Sequence, residues 1–172
     1  MTVNNLANRI TIFRLILVPI FLILAYTNHH YLAFAAFVIA SISDFLDGYV
    51  ARHYNQISTF GQFMDPLADK VLAVAAMCYF VQIQRMGGWV VALVCFREFS
   101  VSGLRLIAAQ KGSVISAGIS GKVKTAASMI GLSAMFLFKI RWFDLTVSLI
   151  ILVTTLYSGI DYFIRNKEVF EP

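Results

Sequence analysis

Asp44, Asp47, Asp65 and Asp69 are four of the nine acidic residues in a chain of 172, and they stand close together in an otherwise apolar region. An ionised carboxylate in a low-dielectric setting is costly, so such residues are rare and are kept for function. Asp44 and Asp47 are three residues apart, Asp65 and Asp69 four, so on helices each pair shares one face. Two pairs of carboxylates offer the hard oxygen donors that Mg²⁺ or Mn²⁺ takes, as one ion or as two. The residues between them narrow the chemistry. Gly48 removes a side chain where a bulky ligand approaches the helix backbone. Ala51, one turn past Asp47, keeps the same face clear, and Arg52 offers a planar fork to a phosphate. Metals, an arginine and an open helix face suit a diphosphate. A lone Asp–Arg pair in a membrane bundle is often only a polar bridge; four aspartates with two glycines and an arginine are not explained that way.

The elements that position these residues follow from composition. Hydrophobic residues make up 59% of the chain and charged residues 13%, with mean hydropathy +0.78. A soluble domain of this length carries about a quarter charged residues, so the fold expected is an all-α integral membrane protein. Six apolar segments are predicted, from Phe13 to Tyr26, Tyr31 to Val50, Gln62 to Val81, Trp89 to Ala109, Ala126 to Phe138 and Phe143 to Ile164. Val3 to Arg14 mixes Leu6, Ile10 and Phe13 with Asn4, Asn5, Asn8 and Arg9, which predicts a short interfacial amphipathic helix ahead of the first of six transmembrane helices. One domain over residues 1–172 is expected. No small-residue cleavage site follows the first segment, so it reads as a retained helix and not a signal peptide. Gly112 to Gly121 reads as a loop.

Charge orients the bundle. Arg9, Arg14, Arg52, Arg105, Lys111, Lys122, Lys124, Arg165 and Lys167 fall at one set of segment ends, against Arg85, Lys139 and Arg141 at the other. The positive-inside rule puts both termini and the loops after Arg52 and around Lys111 to Lys124 in the cytoplasm, with the aspartates at the cytosolic face of a multi-pass protein of the cell membrane. The formal net charge of +5 then records topology and contact with anionic headgroups, and no nucleic-acid partner is expected. Cys78 and Cys95 lie in apolar runs and read as packing residues. Trp89 and Trp142 near segment ends suit an aromatic belt, and His29, His30 and His53 read as interfacial or surface residues. Lys70 either neutralises the aspartate cluster or snorkels to the interface. Asp161 and Arg165, four apart, read as an intrahelical pair.

As a pattern, residues 44–69 run D-x2-D-G-x2-A-R-x8-G-x3-D-x3-D. This resembles, at every fixed position, the signature of the CDP-alcohol phosphotransferase family. Asn8-Arg9-Ile10-Thr11-Ile12-Phe13-Arg14, with Pro19 beyond it, is similar to the segment that precedes the first helix in that family. Arg97-Glu98-Phe99-Ser100-Val101-Ser102-Gly103-Leu104-Arg105 and Gly121-Lys122-Val123-Lys124-Thr125 look like the branch that makes phosphatidylglycerol phosphate. The likeness covers nearly the whole chain.

The resemblance implies a site residue by residue. Asp44, Asp47, Asp65 and Asp69 would hold a pair of Mg²⁺ or Mn²⁺ ions, with Asp69 also the general base. Asn8, Thr11, Asp47, Gly48, Arg52 and Ser58 fall where the family contacts CDP-diacylglycerol. The reaction implied is transfer of a phosphatidyl group from CDP-diacylglycerol to sn-glycerol 3-phosphate with release of CMP, in phospholipid biosynthesis. The acceptor carries its own phosphate, and Arg97, Arg105, Lys122 and Lys124 are the candidates to bind it. Arg97 falls well inside an apolar segment, where an arginine needs an anion or an internal partner such as Glu98. The family precedent is a homodimer among membrane lipids. Two alternatives stand beside this reading: another acceptor (inositol phosphate, phosphatidylglycerol or serine) and, from a different class, a divalent-cation transporter. A cation path has no use for Gly48 and Arg52, and the far side offers only Asp144 as an acid.

Overall fold

Three residues in the left-handed region decide where helices stop. The computed structural model describes residues 6–53, 59–112, 115 and 118–170, with side chains for 10–43, 70–112, 115 and 118–169. Asn28 (φ 63°) follows α1 (Leu6–Tyr26), and the His29 and Asn28 amides return to the carbonyls of Leu24 and Ala25. Gln84 (φ 58°) repeats the arrangement after α3 (Thr59–Gln82), with the Arg85 and Gln84 amides on Phe80 and Val81. Both are Schellman ends, which satisfy carbonyls that a helix terminus leaves open. Gly112 (φ 75°) closes α4 (Gly88–Gln110), where glycine takes this conformation without a Cβ penalty. The remaining elements are α2 (His30–His53), α5 (Ile119–Leu137), α6 (Arg141–Arg165) and a 3₁₀ turn, Lys167–Phe170. Every element among the described residues is helical.

Two sequence expectations shift. The segment from Leu6 to Arg14 is not a separate interfacial helix: it is the first part of one continuous α1. No glycine or proline interrupts it there, and extending an existing helix is cheaper than ending one and nucleating another. Helix α5 begins at Ile119, seven residues before the predicted Ala126. Gly118 stands at its N-cap with extended geometry, so Lys122 and Lys124 lie on the helix and not in a loop.

The chain divides into two compact units, Met1–Tyr79 and Phe80–Pro172. In the first, α1 packs along α2. Phe21 meets Phe37 with ring centroids 5.7 Å apart, and Ala25, Ala33, Ala36 and Ala40 are buried beside them. Tyr79 meets Tyr26 edge-on and its hydroxyl bonds His30 Nδ1 at 3.1 Å. Thr11 and Arg14, one turn apart on α1, are fully buried. Arg14 is thus not a surface topology charge.

In the second unit α5 runs against α6, and α4 packs on α6. Phe80 and Phe136 meet at a tilt with ring centroids 4.8 Å apart, and Leu132, Met135, Val147 and Ile151 are buried. Gly131 lets α5 and α6 approach closely: a Cβ built there would stand 2.8 Å from Val147 Cγ1. Valine on a helix has one strongly preferred rotamer and cannot swing away. Gly131→Ala is therefore expected to destabilise the protein by about 1–3 kcal/mol despite alanine's better helix propensity. Thermal unfolding in detergent would check this, and an unchanged or raised midpoint would contradict it.

Helix α6 has its chemistry reversed relative to a soluble helix. Asp144, Ser148, Thr155 and Ser158 are buried, while Leu145, Leu149, Val153, Leu156, Ile160 and Ile164 are exposed. Among the described residues it is the one helix long and apolar enough to cross a membrane by length and composition; 10–26, 30–43 and 70–82 are shorter apolar helical stretches.

Candidate active site

Asp44 and Asp47 lie within α2, and Asp65 and Asp69 within α3. The helical backbone keeps each pair on one face, as their spacing predicts. Gly48, Ala51 and Arg52 continue α2 and Gly61 lies in the first turn of α3. The side chains of Asp44, Asp47, Arg52, Asp65 and Asp69 lie outside the described residues, as does that of Asn8, and Ser58 lies outside them altogether. Thr11 is described, and it is fully buried.

The candidate cations of α4 and α5 are among the residues with described side chains. Arg97 projects from α4 between α5 and α6. Its Nη1 donates to Glu98 Oε1 at 3.0 Å and its Nη2 to Ser158 Oγ at 2.6 Å. Adjacent residues on a helix point about 100° apart, so the first contact needs the full length of an arginine side chain bending back. Lys124, from α5, donates its Nζ to the same Glu98 Oε1 at 2.5 Å. The side chains of Arg97, Glu98 and Lys124 are each only about a tenth exposed. Space for the guanidinium is left by two glycines. A Cβ on Gly159 would lie 3.2 Å from Arg97 Cγ, and one on Gly121 would lie 3.7 Å from Nη2.

Two turns farther along α4, Arg105 Nε donates to the Tyr162 hydroxyl at 2.9 Å, with its guanidinium carbon 5.5 Å from the Tyr162 ring centre. Ser158 and Tyr162 are four apart on α6, so α4 and α6 are joined by two polar rungs, each an arginine held by a hydroxyl. Below Arg105, Val101, Leu104 and Tyr162 form an apolar floor with Ile115, Phe163 and Val169.

The four cations named from sequence therefore divide. Arg97 and Lys124 converge on one oxygen; Arg105 stands apart on Tyr162; Lys122 is exposed and joins neither. The expected pairing of Arg97 with Glu98 is present, yet it does not cancel the charge, because Lys124 shares the carboxylate. Asp161 and Arg165 form the expected intrahelical pair at 2.6 Å, and Asp161 also accepts from Ser120 at 2.6 Å.

The family model described as CDP-alcohol phosphatidyltransferase matches residues 4–157. The chain belongs to this family. As a CDP-alcohol phosphatidyltransferase it is a transferase, and its likeness to named relatives covers nearly the whole chain. It is 38% identical to the CDP-diacylglycerol–glycerol-3-phosphate 3-phosphatidyltransferase of Bacillus subtilis, over 97% of each chain. It is 35% identical to the protein of that name from Escherichia coli, over 92% of each. A probable phosphatidylglycerophosphate synthase of Mycobacterium tuberculosis is 37% identical over 95% of this chain and 82% of its own length.

Three roles in this phosphatidyltransferase escape a reading by motif, although Glu98 itself stands in the run from Arg97 to Arg105. Glu98 is the hub of two cations from different helices, Ser158 fixes Arg97, and Tyr162 fixes Arg105. Their sequence separations hide them: Ser158 is 61 residues from Arg97, and Lys124 is 26 from Glu98. A legible hint remains in the buried side of α6, where Ser158 and Tyr162 interrupt an apolar run at helical spacing.

Proposed function

We propose that the chain transfers the phosphatidyl group of CDP-diacylglycerol to sn-glycerol 3-phosphate, forming phosphatidylglycerol phosphate and CMP. The observation that carries this is the joint presence of the eight-position aspartate signature and end-to-end identity to relatives named for that reaction.

In this reading Asp44, Asp47, Asp65 and Asp69 hold two Mg²⁺ or Mn²⁺ ions, and the donor set suits them: four carboxylates in pairs one turn apart on α2 and α3 are hard oxygen ligands. Bound there, the ions supply neutralisation of the diphosphate. Asn8, Thr11, Asp47, Gly48, Arg52 and Ser58 receive the CDP portion. Asp69 takes the proton of the acceptor hydroxyl as its oxygen bonds to the phosphorus that carries diacylglycerol. The bond from that phosphorus to the CMP oxygen breaks, and CMP leaves with the electron pair. Arg97 and Lys124 hold the acceptor's phosphate, with Arg105 and Lys122 as further cations toward it.

The lipid donor places the reaction at a membrane. The reading adopted is a multi-pass protein of the cell membrane with six crossings, both termini and the active site on the cytoplasmic side, and two copies in the working assembly. The length and composition of α6 and its exposed apolar side chains support membrane embedding. Purified protein in detergent, given CDP-diacylglycerol, Mg²⁺ and labelled glycerol 3-phosphate, is expected to release CMP and label the lipid. Release with inositol phosphate, phosphatidylglycerol or serine in its place would move the acceptor. Cation flux in vesicles without CMP release would overturn the enzyme reading.

A further inference from the structure

Glu98 is a buried carboxylate with no assigned part in phosphatidyl transfer. Its Oε1 gathers Arg97 from its own helix and Lys124 from α5, while Ser158 of α6 steadies the far side of the Arg97 guanidinium. A structural ion pair in a largely buried place balances its charges. These three residues do not: two cations share one carboxylate, leaving one positive charge over. The Nε of Arg97 is also buried and has no hydrogen-bond partner among the described residues. A buried arginine donor left open among the described residues, beside surplus positive charge, suits an anion.

We propose that Glu98 is a positioning residue: it acts as the counter-charge that draws Arg97 and Lys124 together into a preformed seat for the acceptor's phosphate. The inference rests on the phosphatidyl-transfer reading given above. Two cations converging on a mostly desolvated spot repel one another, and the carboxylate between them removes that repulsion before substrate arrives. Because it neutralises only one of the two, the seat keeps its attraction for a phosphate monoester. Gly121 and Gly159 leave the guanidinium room to lie between α5 and α6, so the assembly is set by the three helices and not by the ligand. The net charge of the trio would rise without Glu98, yet binding would weaken, because the anion itself would have to order two mutually repelling side chains.

The test is steady-state kinetics of the full-length protein in mixed micelles, varying glycerol 3-phosphate and the surface fraction of CDP-diacylglycerol independently. Glu98→Gln is expected to raise KM for glycerol 3-phosphate about tenfold or more, with KM for CDP-diacylglycerol changed by no more than about twofold. Glu98→Asp keeps the charge but is one methylene shorter, and is expected to fall between. Thermal unfolding of each variant in the same detergent shows whether it is folded. An equal loss for both substrates, or a melting shift with both KM values unchanged, makes Glu98 merely structural and overturns the proposal. A rise confined to CDP-diacylglycerol assigns the seat to a lipid headgroup and overturns it too. Arg97→Ala and Lys124→Ala separate the levels. If they raise KM for glycerol 3-phosphate and Glu98→Gln does not, the inference about Glu98 alone fails. If wild-type protein does not use glycerol 3-phosphate, the underlying reading fails with it.

Discussion

Asp69→Asn is expected to lower turnover by about 10³-fold or more while CDP-diacylglycerol still binds, since general-base catalysis contributes on the order of 10²–10⁴-fold. The substitution is nearly isosteric, retains an oxygen toward any metal and leaves the helical course of α3 intact. What it removes is the ability to take a proton. Asp65, one turn earlier on the same face, gives the control. Asp65→Asn is expected to raise the Mg²⁺ concentration needed for half-maximal activity, and added Mg²⁺ should recover part of the loss. Asp69→Asn should not respond to added Mg²⁺ in this way. CMP release measured across a Mg²⁺ titration, together with direct CDP-diacylglycerol binding, checks both. If Asp69→Asn loses donor binding and catalysis in parallel, the residue acts mainly as a ligand.

The largest effect on stability is expected away from this chemistry. Arg85 follows the left-handed Gln84 at the end of α3, and that turn carries its side chain to the first turn of α6. There Nε and Nη2 grip Asp144 at 2.8 and 2.5 Å, Nη2 also reaches the Phe138 carbonyl, and the guanidinium carbon lies 5.3 Å from the Phe80 ring centre. Asp144 sits where the helix dipole favours a negative charge. The two side chains are 15% and 7% exposed, so removing one partner strands the other in a mostly dry place. Asp144→Leu is expected to cost about 3 kcal/mol, in the range for breaking a buried pair. The double variant Arg85→Leu with Asp144→Leu is expected to regain much of it, because well-packed apolar replacements often match a buried ion pair. Thermal unfolding of the two single variants and the double variant closes the cycle. A double variant no more stable than the worse single one would show that the Phe138 and Phe80 contacts hold this corner instead.

Features confined to one helix were readable before any fold was known. Asp44 with Asp47, Asp65 with Asp69 and Asp161 with Arg165 each declare a shared face by spacing alone. Contacts between helices were not. Arg85, with Lys139 and Arg141, and Asp144 all fall at the far ends in sequence, but nothing local says that a turn at Gln84 brings Arg85 to Asp144. Glu98 was visible only as a neighbour of Arg97, and its contact with Lys124 depends on α5 beginning at Ile119. That start was obscured because Gly118, Ser120 and Gly121 have loop-like composition; packing against α6 outweighs their low helix propensity. Arg14 shows the opposite error, since a charge counted by its place near a segment end is wholly interior.

The reversal along α6 has an evolutionary corollary. Exposed positions such as Leu149, Val153, Leu156 and Ile160, if α6 is embedded as proposed, answer only to a demand for hydrocarbon, so they are free to drift among Leu, Ile, Val and Phe while rejecting charge. Ser148, Thr155 and Ser158 answer to volume and a hydroxyl, so they are interchangeable only with residues as small. Deep substitution scanning of α6 would therefore split into two alternating classes of tolerance with a helical period. Lineages of this enzyme would then diverge fastest in the residues that make α6 most greasy, and slowest in the modest hydroxyls behind them.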